Sequence, residues 1–154
     1  MKKKRIAVIA IGNELMGDDG IAGAVLNALS KEKTSQNVDL VDGGTGGISL
    51  IHMIRKYKKV IFIDSGDFGG NPGEIKIFTH EEAVSTKETM RYSLHEGDLL
   101  KLIHLSKEIG EAPESVKIVA IQPKKIELNT TLSPELINAI PEIVRDIKSL
   151  LEGC

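Results

Sequence analysis

Three uninterrupted apolar runs constrain this chain's fold more than any other feature: "RIAVIAIG" at 5–12, "KVIFIDSG" at 59–66 and "VKIVAIQP" at 116–123. A strand with one wet face alternates apolar and polar residues. A strand that is apolar throughout and rich in β-branched residues buries both faces, as in a sheet covered by helices on each side. Helical patterns lie between the runs. Residues 18–30 set Ile21, Val25, Leu26 and Leu29 at helical spacing, residues 47–57 set Ile48, Leu50, Ile51 and Ile54, and residues 96–108 set Leu99, Leu100, Ile103 and Leu105. The clearest helix is "SPELINAIPEIVRDIKSLLEG" at 133–153, with Ser133 as N-cap and Pro134 in its first position. Pro141 is expected to bend this helix or split it near Ile140.

Two shorter strands complete the set, "NVDLVDGG" at 37–44 and "GEIKIFTH" at 73–80. The second alternates Ile75 and Ile77 with polar residues and belongs at a sheet edge. Residues 83–95 read as a loop with marginal helix. Strands alternating with helices give an α/β protein, a three-layer αβα fold around a mostly parallel five-stranded sheet. The length of 154 residues suits one domain covering 1–154.

Charge and composition exclude several classes. A net charge of −2 lacks the positive excess that nucleic acids and anionic membranes select. No apolar stretch approaches the roughly 20 residues of a membrane helix, so no membrane insertion is expected. The run after "MKKKR" is too short for a signal peptide and leads into carboxylates. The lone cysteine, Cys154, offers neither an intrachain disulfide nor a metal cluster. The expectation is a cytoplasmic, soluble protein. Its oligomeric state is left open by the sequence.

In open α/β sheets, ligands bind beyond the carboxyl ends of the strands. Here those ends deliver Gly12-Asn13 followed by Glu14, Asp18 and Asp19, then Asp42, then Asp64-Ser65-Gly66-Asp67, then Gln122-Pro123. Carboxylates gathered on one edge repel one another, which suggests a cation, a shared proton or a cationic substrate. Asp18 also reads as an N-cap for the helix that follows, and Asp19 as a charge favouring its dipole. One capping carboxylate would suffice, so Asp19 is the harder of the two to dismiss. Asp64 is either a turn former or a site group. Asp42 and Asp67 sit beside glycines as turn residues. Glu14 reads as solvated.

Of the four histidines, His52 and His104 belong to helix surfaces or core edges, and His80 is expected to be exposed. His95 stands in a loop just before a helix start, where a side chain can face a cleft. Two oxygens and a nitrogen from Asp19, Asp64 and His95 would suit a first-row divalent metal with open positions, though their separation in sequence does not establish such a site. There is no H-E-x-x-H, cysteine pair or G-x-S-x-G elbow. The glycines after the first strand have the wrong spacing for a dinucleotide loop, and the acids there would repel a pyrophosphate.

Five blocks, in order, resemble the hydrogenase maturation proteases: "IGNELMGDDG" (11–20), "DGGTGGISL" (42–50), "IFIDSGDFGGNPGEI" (61–75), "SLHEGDLL" (93–100) and "IQPKKIELNTTLSPEL" (121–136). The first follows the pattern G-N-x-L-x-x-D-[DE]-G. Ala10 and Ala22 depart from the pattern, since glycine is frequent at both positions in the family. The resemblance implies a twisted five-stranded sheet flanked by helices. It also implies an aspartyl-type endopeptidase that removes a short C-terminal peptide from the large-subunit precursor of a [NiFe] hydrogenase after nickel insertion. No tightly bound cofactor is implied. The nickel is carried by the substrate, and a divalent metal can occupy the same position. The family's two carboxylates and one histidine that contact this metal fall on Asp19, Asp64 and His95. The metal would polarise the scissile carbonyl or activate water, or it would only position the peptide while a carboxylate serves as general base. The alternative from another class is a non-catalytic nickel-binding chaperone or checkpoint protein.

Overall fold

The computed structural model of this chain describes residues 5–34, 36–85 and 96–152. Five strands form one sheet: β1 (Ile6–Ala10), β2 (Val38–Asp42), β3 (Lys59–Ser65), β4 (Ile75–Thr79) and β5 (Ser115–Ile121). Their spatial order is β2-β1-β3-β5-β4. All neighbours are parallel except β4, which runs antiparallel to β5. The helices are α1 (Ile21–Ser30), α2 (Ile51–Ile54), α3 (His80–Ser85), α4 (Glu96–Glu108) and α5 (Pro134–Glu152).

The sheet divides the core in two. On one face Val8, Ala10, Ile61, Ile63, Val119 and Ile121 pack against α1 and α5 through residues such as Val25, Leu29, Leu136 and Ile147. On the other, Ala7, Ile9, Phe62, Ile118 and Ala120 meet Ile54 of α2 and Leu99, Leu102 and Ile103 of α4. Alternate residues of one strand thus enter opposite layers, which is why β1, β3 and β5 needed apolar side chains at nearly every position. Each fully buried aliphatic or aromatic side chain contributes about 1.5–3 kcal/mol. Among the described residues no helix is long and apolar enough to cross a membrane.

Several expectations are corrected. The pattern at 18–30 does not start as α-helix: Gly17–Gly20 forms a 3₁₀ turn and α1 begins at Ile21. The pattern at 47–57 contracts to a 3₁₀ turn at Ile48–Leu50 followed by α2. The chain there turns at Lys56 and Tyr57 to reach β3, and buried Tyr57 donates its hydroxyl to Asp39 Oδ2 at 2.9 Å. Pro141 does not split α5, which runs unbroken through it. Pro141 lies on the exposed face of the helix, so its ring does not disturb the core packing of Leu136, Ile143 and Val144. β4 is an edge strand as expected, but its deepest residue is Phe78, whereas Ile77 is left exposed.

Strand order places the site. From β1 the chain moves to β2 on one side and then returns past β1 to β3 on the other. The gap between the carboxyl ends of β1 and β3 is therefore a topological switch point, where open α/β sheets form their ligand crevice.

Candidate functional site

β1 delivers its last residues directly into this crevice. Ile11 N–H donates to the Ile63 carbonyl of β3 at 2.8 Å, and Gly12 N–H donates to the Gly44 carbonyl beyond β2 at 2.8 Å. The chain then folds back so tightly that a Cβ on Gly12 would stand 2.2 Å from the Asp19 carbonyl oxygen. Only glycine allows this approach. Asn13 closes the turn, taking Leu15 N–H on its side-chain oxygen at 2.9 Å, and the 3₁₀ turn with Asp18 and Asp19 follows.

Both aspartates are buried, at 1% and 0% exposure, but they face different partners. Asp19 Oδ2 accepts Asn13 N–H at 2.8 Å. Its Oδ1 accepts the Ser65 hydroxyl at 2.6 Å. Asp19 is thereby held at the end of β3, beside Asp64, which is 3% exposed. Along β3, Phe62 enters the α2/α4 layer and Ile63 the α1/α5 layer, so the pleat sends Asp64 to the α4 side and Ser65 to the α1 side. Asp19 is thus bonded to Ser65, while Asp64 precedes Ser65 at the end of the same strand. His95 lies outside the described residues. Among the described residues no three His, Cys, Asp or Glu side chains are grouped to hold a metal.

Asp18 is not the helix cap expected of it. The N-cap position of α1 is Gly20, with no side-chain cap. Asp18 instead reaches the far end of the chain. Its Oδ2 accepts Lys124 N–H, Lys125 N–H and the Ser133 hydroxyl, each at 2.8 Å. Its Oδ1 accepts Ser133 N–H at 2.7 Å. Burial alone would raise its pKa, but the backbone donors of Ser133, Lys125 and Lys124 and the Ser133 hydroxyl together hold it below the usual carboxylate value. Ser133 does precede Pro134 at the start of α5, as expected, with its hydroxyl donated to Asp18.

The remaining acids behave as turn and rim residues. Asp42 Oδ1 accepts Gly44 N–H at 2.9 Å, and Asp67 Oδ1 accepts Gly69 N–H at 3.0 Å. Glu14 is exposed. Between the Gly12–Gly20 turn, α1 and the carboxyl ends of β1 and β2 lies a cleft of about 670 Å³, bordered by Asn13, Glu14, Asp42, Thr45 and Leu132. His52 and His104 are exposed, the latter 3.4 Å from Glu108. His80 is not exposed as expected. Its side chain is 12% accessible and its Nδ1 lies 3.0 Å from Lys107 Nζ, which ties α3 to α4. Burial first and the Lys107 charge second push its pKa down.

Two residues escaped the reading of the sequence. In the sequence Ser65 is only part of a strand end, and its role as a donor to Asp19 depends on the β1–β3 pairing. Gln122 was seen only as a strand end. Its Oε1 accepts Phe68 N–H and Gly70 N–H at 3.0 and 3.1 Å, and its Nε2 donates to Asp67 Oδ1 at 3.0 Å. The signal was present: a lone amide closing a long apolar strand needs buried partners.

Comparison with known proteins agrees with this geometry. The hydrogenase maturation protease family model matches residues 24–150. A hydrogenase expression/formation protein, HupD of Rhizobium leguminosarum bv. viciae, is 30% identical over 124 residues, covering 80% of this chain and 61% of that protein. The chain thus spans about six-tenths of the length of that curated relative. The hydrogenase maturating endopeptidase HybD of Escherichia coli superposes with a TM-score of 0.86 at 25% identity, covering 97% of this chain and 93% of that one. A hydrogenase 2 maturation peptidase from a Thaumarchaeota archaeon gives a TM-score of 0.72 at 33% identity, covering 96% and 98%. With the family model spanning most of the chain and the αβα architecture shared with these peptidases, the chain belongs to the hydrogenase maturation protease family.

Proposed function

We propose that this chain is an endopeptidase that removes a short C-terminal peptide from the nickel-loaded large-subunit precursor of a [NiFe] hydrogenase, and that it recognises the nickel its substrate carries. The observation that carries this reading is Asp19, wholly buried yet fastened by two donors at the switch point, next to Asp64 at the end of β3. Family membership supplies the reaction class.

In this reading Asp19, Asp64 and His95 contact the substrate's nickel at the carboxyl edge of the sheet. Fixed carboxylates spend no reorganisation on the metal when it arrives, which favours a correctly loaded precursor over an empty one. The glycine-rich turns at 43–47 and 69–73 carry few bulky side chains beside this edge of the sheet, which leaves room for an extended tail. The Asp67–Gln122 bond fixes the second of these turns on β5.

The test is incubation with nickel-loaded and nickel-free precursor, read by mass spectrometry. Loss of the tail from the loaded form alone is the expected result. Cleavage of both forms removes the role of nickel. Binding of the loaded form without cleavage replaces the protease with a chaperone or checkpoint protein.

A further inference from the structure

We propose that Ser65 is a positioning residue for Asp19: its hydroxyl fixes the direction in which the carboxylate faces, and so sets the efficiency with which the nickel-loaded precursor is trimmed. This rests on the assignment of Asp19 to the substrate's nickel.

The terminal torsion of an aspartate is broad and nearly two-fold when nothing holds it. In this protein each carboxylate oxygen has its own donor, Asn13 N–H at 2.8 Å on Oδ2 and Ser65 Oγ at 2.6 Å on Oδ1. Together they define the plane of the carboxylate. The Asn13 donor belongs to the same turn as Asp19 and moves with it. Ser65 belongs to β3, flanked by β1 and β5 in the middle of the sheet, so it refers the position of Asp19 to the most rigid element of the fold. At 2.6 Å the bond has the length of a charge-assisted hydroxyl–carboxylate contact.

Ser65 is 1% exposed. The two side chains that precede it on this face of β3, Ile61 and Ile63, are apolar and buried. Packing alone would favour an apolar residue at position 65 as well. A buried hydroxyl there is accounted for by its carboxylate partner. Because Asp64 precedes it and points to the opposite face, two consecutive residues of one strand serve both carboxylates. The first supplies one, and the second orients the other.

The experiment compares wild type, Ser65→Ala and Ser65→Thr in trimming the nickel-loaded precursor, with thermal melting as the control for folding. Ser65→Ala is expected to lower kcat/KM for the nickel-loaded precursor about tenfold. Ser65→Thr keeps the donor and is expected to recover most of kcat/KM. Unchanged kcat/KM in Ser65→Ala overturns the proposal. So does a loss shared equally by Ser65→Thr, or a loss matched by a fall in melting temperature. A wild-type chain that does not trim the loaded precursor defeats the assigned function. Trimming by wild type with Ser65→Ala unaffected defeats only the role of Ser65.

Discussion

Asp18 and Ser133, 115 positions apart, are joined by two hydrogen bonds, from the Ser133 backbone N–H at 2.7 Å and from its hydroxyl at 2.8 Å. With Lys124 and Lys125 also donating to Asp18, the turn that carries Asp19 is bolted to the loop leading into α5. One acid of the pair fixes the turn and the next faces the switch point. This division of labour makes the two aspartates separable by experiment.

Asp18→Asn should destabilise the fold by about 3 kcal/mol, because an amide presents N–H to at least one backbone donor now facing a carboxylate oxygen. The pH dependence follows from the lowered pKa of Asp18. Its stabilisation is complete above the ordinary value near 3.8 and is lost as pH falls from there through the lower folded value. Urea denaturation of wild type should weaken over that acidic range, and Asp18→Asn should lose that part of the dependence. Equal stability of the two proteins at neutral pH would refute this account.

Asp19→Asn and His95→Ala should each abolish trimming of the loaded precursor, by at least about a hundredfold, the usual scale for removing an acid–base group. Both should melt within a few degrees of wild type. Full loss of precursor mass with either variant would remove that residue from the site.

Gln122→Leu should free the turn after β3. Three partners, the N–H groups of Phe68 and Gly70 and the Asp67 carboxylate, lose their bonds to the amide at once, at a cost of about 2 kcal/mol. Limited proteolysis should show new cuts between residues 67 and 73 while β5 stays protected. An unaltered digestion pattern would contradict the bracing role.

Pro141→Ala should stabilise the protein by about 2 kcal/mol. The helix already passes through this position, so alanine restores an intrahelical bond and removes a poor helix former. The proline's restraint of the unfolded chain offsets only part of that gain. The check is the midpoint of urea denaturation.

Two glycines beside the cleft should respond in opposite ways. Gly12→Ala drives a methyl group into the Asp19 carbonyl and should cost more than about 3 kcal/mol, as overpacking and backbone displacement do. Gly23→Ala in α1 meets nothing within 4 Å and should add about 0.5–1 kcal/mol through helix propensity. Melting temperatures of the two variants decide the matter.

The strands of this protein could be read from the chain because burial on both faces leaves a contiguous apolar signature, as in "AVIAI" and "VIFID". The carboxyl-edge rule places Asp19 and Asp64 at the same edge of the sheet from sequence alone. Local pattern was less faithful where a residue's partner lies far away. Asp18 before an apolar helix looked like a cap, since the sequence around it contains no trace of Ser133. Ser65 and Gln122 are polar residues at the ends of apolar strands, but their partners are set by strand order. Hydrophobic periodicity is a property of neighbouring residues and survives in one dimension. A hydrogen bond between side chains from β3 and the turn after β1 exists only once those strands are paired, and it is tertiary structure that sorts three neighbouring acids into an exposed residue, an anchor to the 124–133 loop and a carboxylate held at the switch point.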